Sequence, residues 1–231
     1  MKIGENATGF IKAAAGSPRV HPGEPLKNAA EICSVIDQAE ALKADVLVLP
    51  ELVLSGYTVA DLFLRAPLLE GVLTALECIK DHLKRPESEG LIVVLGAPIR
   101  ADGRLFNCAV FLQNGRVLGI VPKSHLPNYQ EFYEARWFSP ASEAVSSTLE
   151  LLGDTVPFGT DLIFESASGL AIAAEICEDL WVAQPPATAA AAAGANVIVN
   201  LSASNETAGK AKFRRELVRL QSARSMCAYV Y

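Results

Sequence analysis

ADVLVLP, Ala44–Pro50, is a short, mostly apolar run closed by a proline. Its length suits a buried strand, and the proline ends that strand at Glu51. LIVVLGA (Leu91–Ala97), LAIAAEI (Leu170–Ile176) and ANVIVN (Ala195–Asn200) have the same character. Gly9–Ala15 reads as a first strand, and DLIFE (Asp161–Glu165), followed by the turn SASG, as a later one. Between these runs the spacing turns helical. Leu26, Ala29, Ala30, Cys33 and Ile36 form one stripe within 25–43, with Pro25 suited to a first turn. Leu69, Val72, Leu76, Ile79 and Leu83 form a second stripe, which Pro86 ends. The alanine-rich segment 186–193 and the stretch 210–224 predict two more helices. Strands alternating with helices indicate a layered α/β fold.

A hairpin sits inside this frame. RLFNCAVFLQ and RVLGIVP flank Asn114-Gly115, a pair that tolerates the positive φ angles of a tight turn. Residues 123–140 then mix prolines, aromatics and charges without a period, a long loop of the kind that often carries function. A Ser- and Gly-bearing connector follows it.

Composition removes several classes of function. The chain has 231 residues, 51% of them hydrophobic, enough for a large core, and no linker divides it, so residues 1–231 are read as one domain. A net charge of −6 argues against a nucleic-acid partner. The basic residues Lys210, Lys212, Arg214 and Arg215 read as the solvated start of a helix. No apolar run approaches the roughly 18 residues of a membrane span. The N-terminal Lys2, Gly4 and Glu5 lack a signal-peptide core, so a cytoplasmic location is expected. The five cysteines are far apart and have neither zinc-ligand spacing nor a disulfide framework. No metal is expected, and Cys33 and Cys108 read as packing residues.

Three residues share one position: Glu51, Lys123 and Cys177 each follow a buried strand. Strand ends in α/β proteins present side chains to crevices from rigid backbone. Singly, each has a plainer reading, as a solvated loop carboxylate, a surface lysine and a core thiol. Jointly they make a reaction centre. A thiol of pKa about 8.5 must lose its proton to attack a carbonyl. Glu51 is placed to take that proton and return it to a leaving amine, and Lys123 to stabilise negative charge. A Cys–His alternative would use His125, since His21 and His82 lie outside these loops.

VLPELVLSGYT, VPKSHLPNYQEFYEARWF and EICEDLW resemble, in order, the three catalytic blocks of the nitrilase superfamily. SGYTVADLFL, LPNYQEFYEARWF, PFGTDLIFE and NLSASNETAGK narrow the resemblance to the glutaminase domains of bacterial glutamine-dependent NAD synthetases, from about Phe10 to Tyr231. The resemblance implies an αββα four-layer sandwich that assembles into homo-oligomers. It implies Glu51 as base, Lys123 as the oxyanion-side lysine, Cys177 as nucleophile and Glu134 as the residue orienting Lys123. Glutamine recognition would fall on Tyr129, Glu178, Ser204 and Lys210. Ammonia would pass to a synthetase domain that converts deamido-NAD to NAD, and ATP and magnesium are expected there and not in this chain. The strand-like MCAYVY reaches Tyr231 without a closing turn, so a C-terminally truncated sandwich is expected. Two other readings use the same residues: a free-standing amidase or carbamoylase, and an inactive assembly module.

Overall fold

In the computed structural model, residues 10–166 and 169–231 are described. Strands β1 (Ala13–Ala15), β2 (Val46–Val48), β3 (Ile92–Ala101), β4 (Arg104–Gln113) and β5 (Arg116–Pro122) form the first sheet in that order. Its first three strands are parallel and its last three antiparallel. A hairpin of β6 (Thr148–Leu151) and β7 (Asp154–Pro157) lies beside β5, joined through the bridge Ile120–Phe158. Strands β8 (Phe164–Glu165), β9 (Ala171–Ile176), β10 (Val197–Leu201) and β11 (Ala228–Val230) make the second sheet, in which β9, β10 and β11 are parallel.

The buried side chains define the layers. Val46, Val48, Ile92, Val94 and Phe111 of the first sheet pack against Ile172, Ile176, Val197 and Val199 of the second. Helices α1 (Pro25–Ala41) and α2 (Ala66–His82) cover the outer face of the first sheet through Ile32, Ile36, Val72, Leu76 and Ile79. Helices α3 (Pro186–Ala192) and α4 (Lys210–Ser225) lie on the other side, where Ala173, Ile198, Ala187 and Cys227 make a smaller core. The result is the expected αββα order.

The α2 stripe is buried as its period predicts, and the Asn114-Gly115 hairpin runs over the expected residues. Other expectations need correction. The first strand is shorter than expected, Ala13–Ala15, and Gly9, Lys2, Gly4, Glu5 and part of the SASG turn lie outside the described residues. Leu26 and Ala30 of the proposed α1 stripe face outward, and Asn28, Ile32 and Ala39 take the buried face. The connector after residue 140 contains the β6–β7 hairpin, whose short strands alternate too briefly to register as a period.

One glycine sets the site. Gly96 of β3 lies against the turn that follows β2, donating its N–H to Pro50 O (3.2 Å) and accepting from Leu54 N–H (3.3 Å). A Cβ at Gly96 would come within 2.6 Å of Pro50 O and 2.7 Å of Glu51 C, and would overlap Leu52 N. Leu52 is held at φ +49° in the same turn. Backbone approaches backbone here, so no rotamer can relieve the clash. Gly96→Ala is expected to lose about 1–3 kcal/mol in urea unfolding, because the overpacked turn must shift and carry Glu51 with it.

Candidate active site

Four strand ends converge: β2 delivers Glu51, β5 delivers Lys123, β9 delivers Cys177 and β10 delivers Ser202 and Ala203. Lys123 is fully buried, and its Nζ donates to Glu51 Oε1 (2.6 Å) and to Glu134 Oε1 and Oε2 (2.7 and 3.0 Å). Both carboxylates are buried too. A buried cation survives only when opposite charges and hydrogen bonds replace its water. Burial works against the Lys123 charge, but Glu51 and Glu134 outweigh it and hold its pKa above the ordinary value.

Two carboxylates around one ammonium leave an excess negative charge, which other donors spread. Asn107 Nδ2 donates to Glu51 Oε1 (2.7 Å) and the Ala203 N–H to Glu51 Oε2 (3.0 Å). Tyr57 OH donates to Glu134 Oε1 (2.6 Å). Burial and repulsion from Glu51 push the Glu134 carboxyl up, against the pull of Lys123.

Cys177 begins the turn after β9 at φ +45°, a left-handed conformation that costs a non-glycine residue about 1–3 kcal/mol. Its N–H donates to Asn200 Oδ1 (3.1 Å), and Ser202 OH donates to its Sγ (3.3 Å). The Ser202–Ala203 pair therefore touches both the thiol and Glu51. Burial, followed by the Glu51 charge, pushes the thiol up to about 12, with Lys123 and Ser202 pulling the other way. Burial and Glu51 thus favour the thiol over the thiolate.

The remaining candidates are half-buried or exposed. Tyr129 is exposed and donates its hydroxyl to Glu178 (2.9 and 3.2 Å), so it is not packed on the core. Burial and that carboxylate push the Tyr129 phenol up to about 12. Ser204 donates its N–H to Ser202 Oγ (3.2 Å) and does not cap α4, whose N-cap is Gly209. Lys210 bonds Asn205, which also bonds Glu131, and its Nζ lies 5.1 Å from the Trp181 ring centre. His125 is exposed and meets the site through its main-chain N–H, while His21 and His82 pair with Glu31 and Asp37.

Sequence reasoning missed Asn107, Tyr57, Ser202, Ala203, Asn200, Glu131 and Asn205. Ser202 and Ala203 had a usable signal, since they too follow a buried strand. Asn107 had one as well, a polar residue within an apolar strand. Tyr57 had none, because its partner lies 77 positions away.

A cysteine, a glutamate and a lysine at converging strand ends of an αββα sandwich, with a second glutamate from the loop after Lys123, suit cleavage of an amide. The carbon-nitrogen hydrolase family profile matches residues 12–231, and the chain belongs to that family. It is 44% identical over 228 residues to the glutamine-dependent NAD(+) synthetase of Mycobacterium tuberculosis, an alignment covering 96% of this chain and 32% of that protein. The crystal structure of a glutamine-dependent NAD(+) synthetase from Cytophaga hutchinsonii superposes with a TM-score of 0.81 and 30% identity, over 95% of this chain and 35% of that one. An amidase from Nesterenkonia sp. shares the fold at a TM-score of 0.72 and 18% identity, over 95% of this chain and 75% of that one. The chain thus spans about a third of the length of the synthetases it matches. Among the described residues no helix is long and apolar enough to cross a membrane, and no cluster of His, Cys, Asp and Glu is arranged to hold a metal ion.

Removing the cation should expose the electrostatic debt. Lys123→Met leaves two facing carboxylates without their partner, a loss on the order of 3–5 kcal/mol. A carboxyl raised in the folded state binds its proton there first, so it favours folding more as pH falls toward its unfolded value. Urea midpoints of Lys123→Met are expected to be lowest near about pH 8 and to recover toward about pH 5 relative to the unsubstituted protein.

Proposed function

We propose that this chain is a glutamine amidohydrolase domain that releases ammonia through a thioester on Cys177. In this reading it feeds ATP-dependent synthesis of NAD from deamido-NAD in a synthetase domain of a longer enzyme. The observation that carries the chemistry is the Ser202–Ala203 link between the Cys177 thiol and the Glu51 carboxylate, beside the buried Lys123. The 44% identity to a glutamine-dependent NAD(+) synthetase carries the choice of substrate.

Glu51 takes the Sγ proton as sulfur attacks the side-chain amide carbon, and the carbonyl electrons move onto oxygen. Lys123 is the nearby positive charge against which that oxyanion forms. The proton passes to the amide nitrogen, the C–N bond breaks, and ammonia leaves a thioester on Cys177. A water then gives its proton to Glu51 and attacks the thioester, which yields glutamate and returns the thiol. Glu134 keeps Lys123 in place. Tyr129, Glu178, Ser204 and Lys210 receive the amino-acid end of glutamine, with Glu178 for its ammonium and Lys210 for its carboxylate. Residues 1–231 act as one unit in this scheme and need no metal or cofactor of their own. ATP and magnesium belong to the synthetase domain, and the setting is cytoplasmic with the sandwich in a homo-oligomer.

An electrophilic glutamine analogue tests nucleophile and substrate together. Mass spectrometry should find one adduct, on Cys177 and not on the exposed Cys78, and excess glutamine should block it. Labelling that simple amides suppress as well as glutamine does would reassign the domain to a general amidase. Labelling without regard to site would mark an inactive module. In the complete enzyme Cys177→Ala should abolish glutamine-driven NAD formation yet spare formation from free ammonia. Glu51→Gln should cost nearly as much, and turnover close to that of the unsubstituted enzyme would remove Glu51 from the base role.

A further inference from the structure

Asp179 has no part in that scheme, yet it is buried to 1% exposure two residues after the nucleophile. Its carboxylate reaches two segments far apart in sequence. Oδ2 accepts the N–H of Ile176 (3.0 Å), the last residue of β9. Oδ1 accepts the N–H of His125 (2.7 Å), and Oδ2 is 3.4 Å from the N–H of Ser124, so both contacts fall on the loop that leaves Lys123. Among the described residues no main-chain hydrogen bond joins residues 123–126 to residues 176–180. The other polar link between the two loops is the exposed one from Tyr129 to Glu178.

We propose that Asp179 is a positioning residue that locks the lysine loop to the nucleophile turn, so that Lys123 and Cys177 are held as one rigid unit. The proposal rests on the amidase reading for its kinetic consequence but not for its structural one. A carboxylate accepting several main-chain N–H groups acts as a short tether, with directional bonds on both of its oxygens. The need for such a tether follows from the fold, since β5 and β9 belong to different sheets that meet through apolar side chains. Apolar contacts are not directional and leave the relative height of two strand ends free to slide. A displacement of 1 Å at a reacting group can lower a rate about a hundredfold. The charges that face Asp179 are Lys123, which favours its carboxylate, and Glu175, which opposes it. Burial pushes its carboxyl up to about 7, so the tether weakens as pH falls through neutrality.

Amide hydrogen exchange and kinetics test this from both ends. Asp179→Asn keeps the size of the side chain but replaces one acceptor oxygen with a donor. After correction for intrinsic rates, exchange should rise about tenfold or more in both segments, 123–126 and 176–180, with the rest of the chain unchanged. His125→Pro removes the strongest donor on the lysine loop without touching the nucleophile turn, and it should loosen 176–180 as well. Loosening confined to the substituted segment in either variant overturns the proposal. In turnover, Asp179→Asn should lower kcat about 10- to 100-fold with KM within about twofold. The unsubstituted enzyme should show a decline in kcat below about pH 7, and Asp179→Asn should lose that decline. An unchanged kcat and pH profile would sink the tether, whereas absence of glutamine turnover in the unsubstituted protein would sink the amidase reading. The exchange result stands in either case.

Discussion

A positive charge buried without water governs this structure. Lys123 has no solvent exposure, and its ammonium is held by two carboxylates, one from the end of β2 and one from the loop after β5. Such a charge is stable only while every partner is present, so Glu51, Glu134, Asn107, Ala203 and Tyr57 form one mutually dependent set. The donors come from β4, from the end of β10 and from the loop after Glu51. Disturbing any of these elements therefore alters the charge state of the whole cluster.

The cluster also explains the resting state of the thiol. Cys177 feels Glu51 as a repulsive charge and Lys123 as an attractive one, and burial keeps its proton in place. In the proposed reaction such a thiol would pass its proton to Glu51 when an electrophile arrives. Cys177 adopts a left-handed conformation, with its N–H bonded to Asn200 and with Asp179 closing the turn onto Ile176.

The two sheets divide the labour. The first supplies Glu51 and Lys123 from the ends of β2 and β5, and the second supplies Cys177 and Ser202 from the ends of β9 and β10. The cluster thus sits across a sheet-to-sheet junction whose interior is hydrocarbon. Polar ties bridge it at the rim, through Ala203 to Glu51, Asp179 to His125 and Tyr129 to Glu178. Gly96 serves the same end within the first sheet, allowing the Glu51 turn to press against β3.

Much of this was legible before any coordinates. Apolar runs closed by proline or followed by a loop located β2, β5 and β9, because a strand buried on both faces must be written as a continuous apolar stretch. The residues just past them, Glu51, Lys123 and Cys177, were legible for the same reason, and the αββα order and Glu134 came from likeness of motif. Local sequence carried no sign of Tyr57 or Asp179, and its signals for Asn107 and Ser202 did not say which groups they would meet. Their partners lie between 3 and 77 positions away, and Asp179 alone serves one neighbour 3 positions off and another 54 off. Hydrogen bonds of that kind follow from how two sheets are stacked and how far their strand ends are offset. That is decided by packing over the whole core, so it is visible only once the chain is folded.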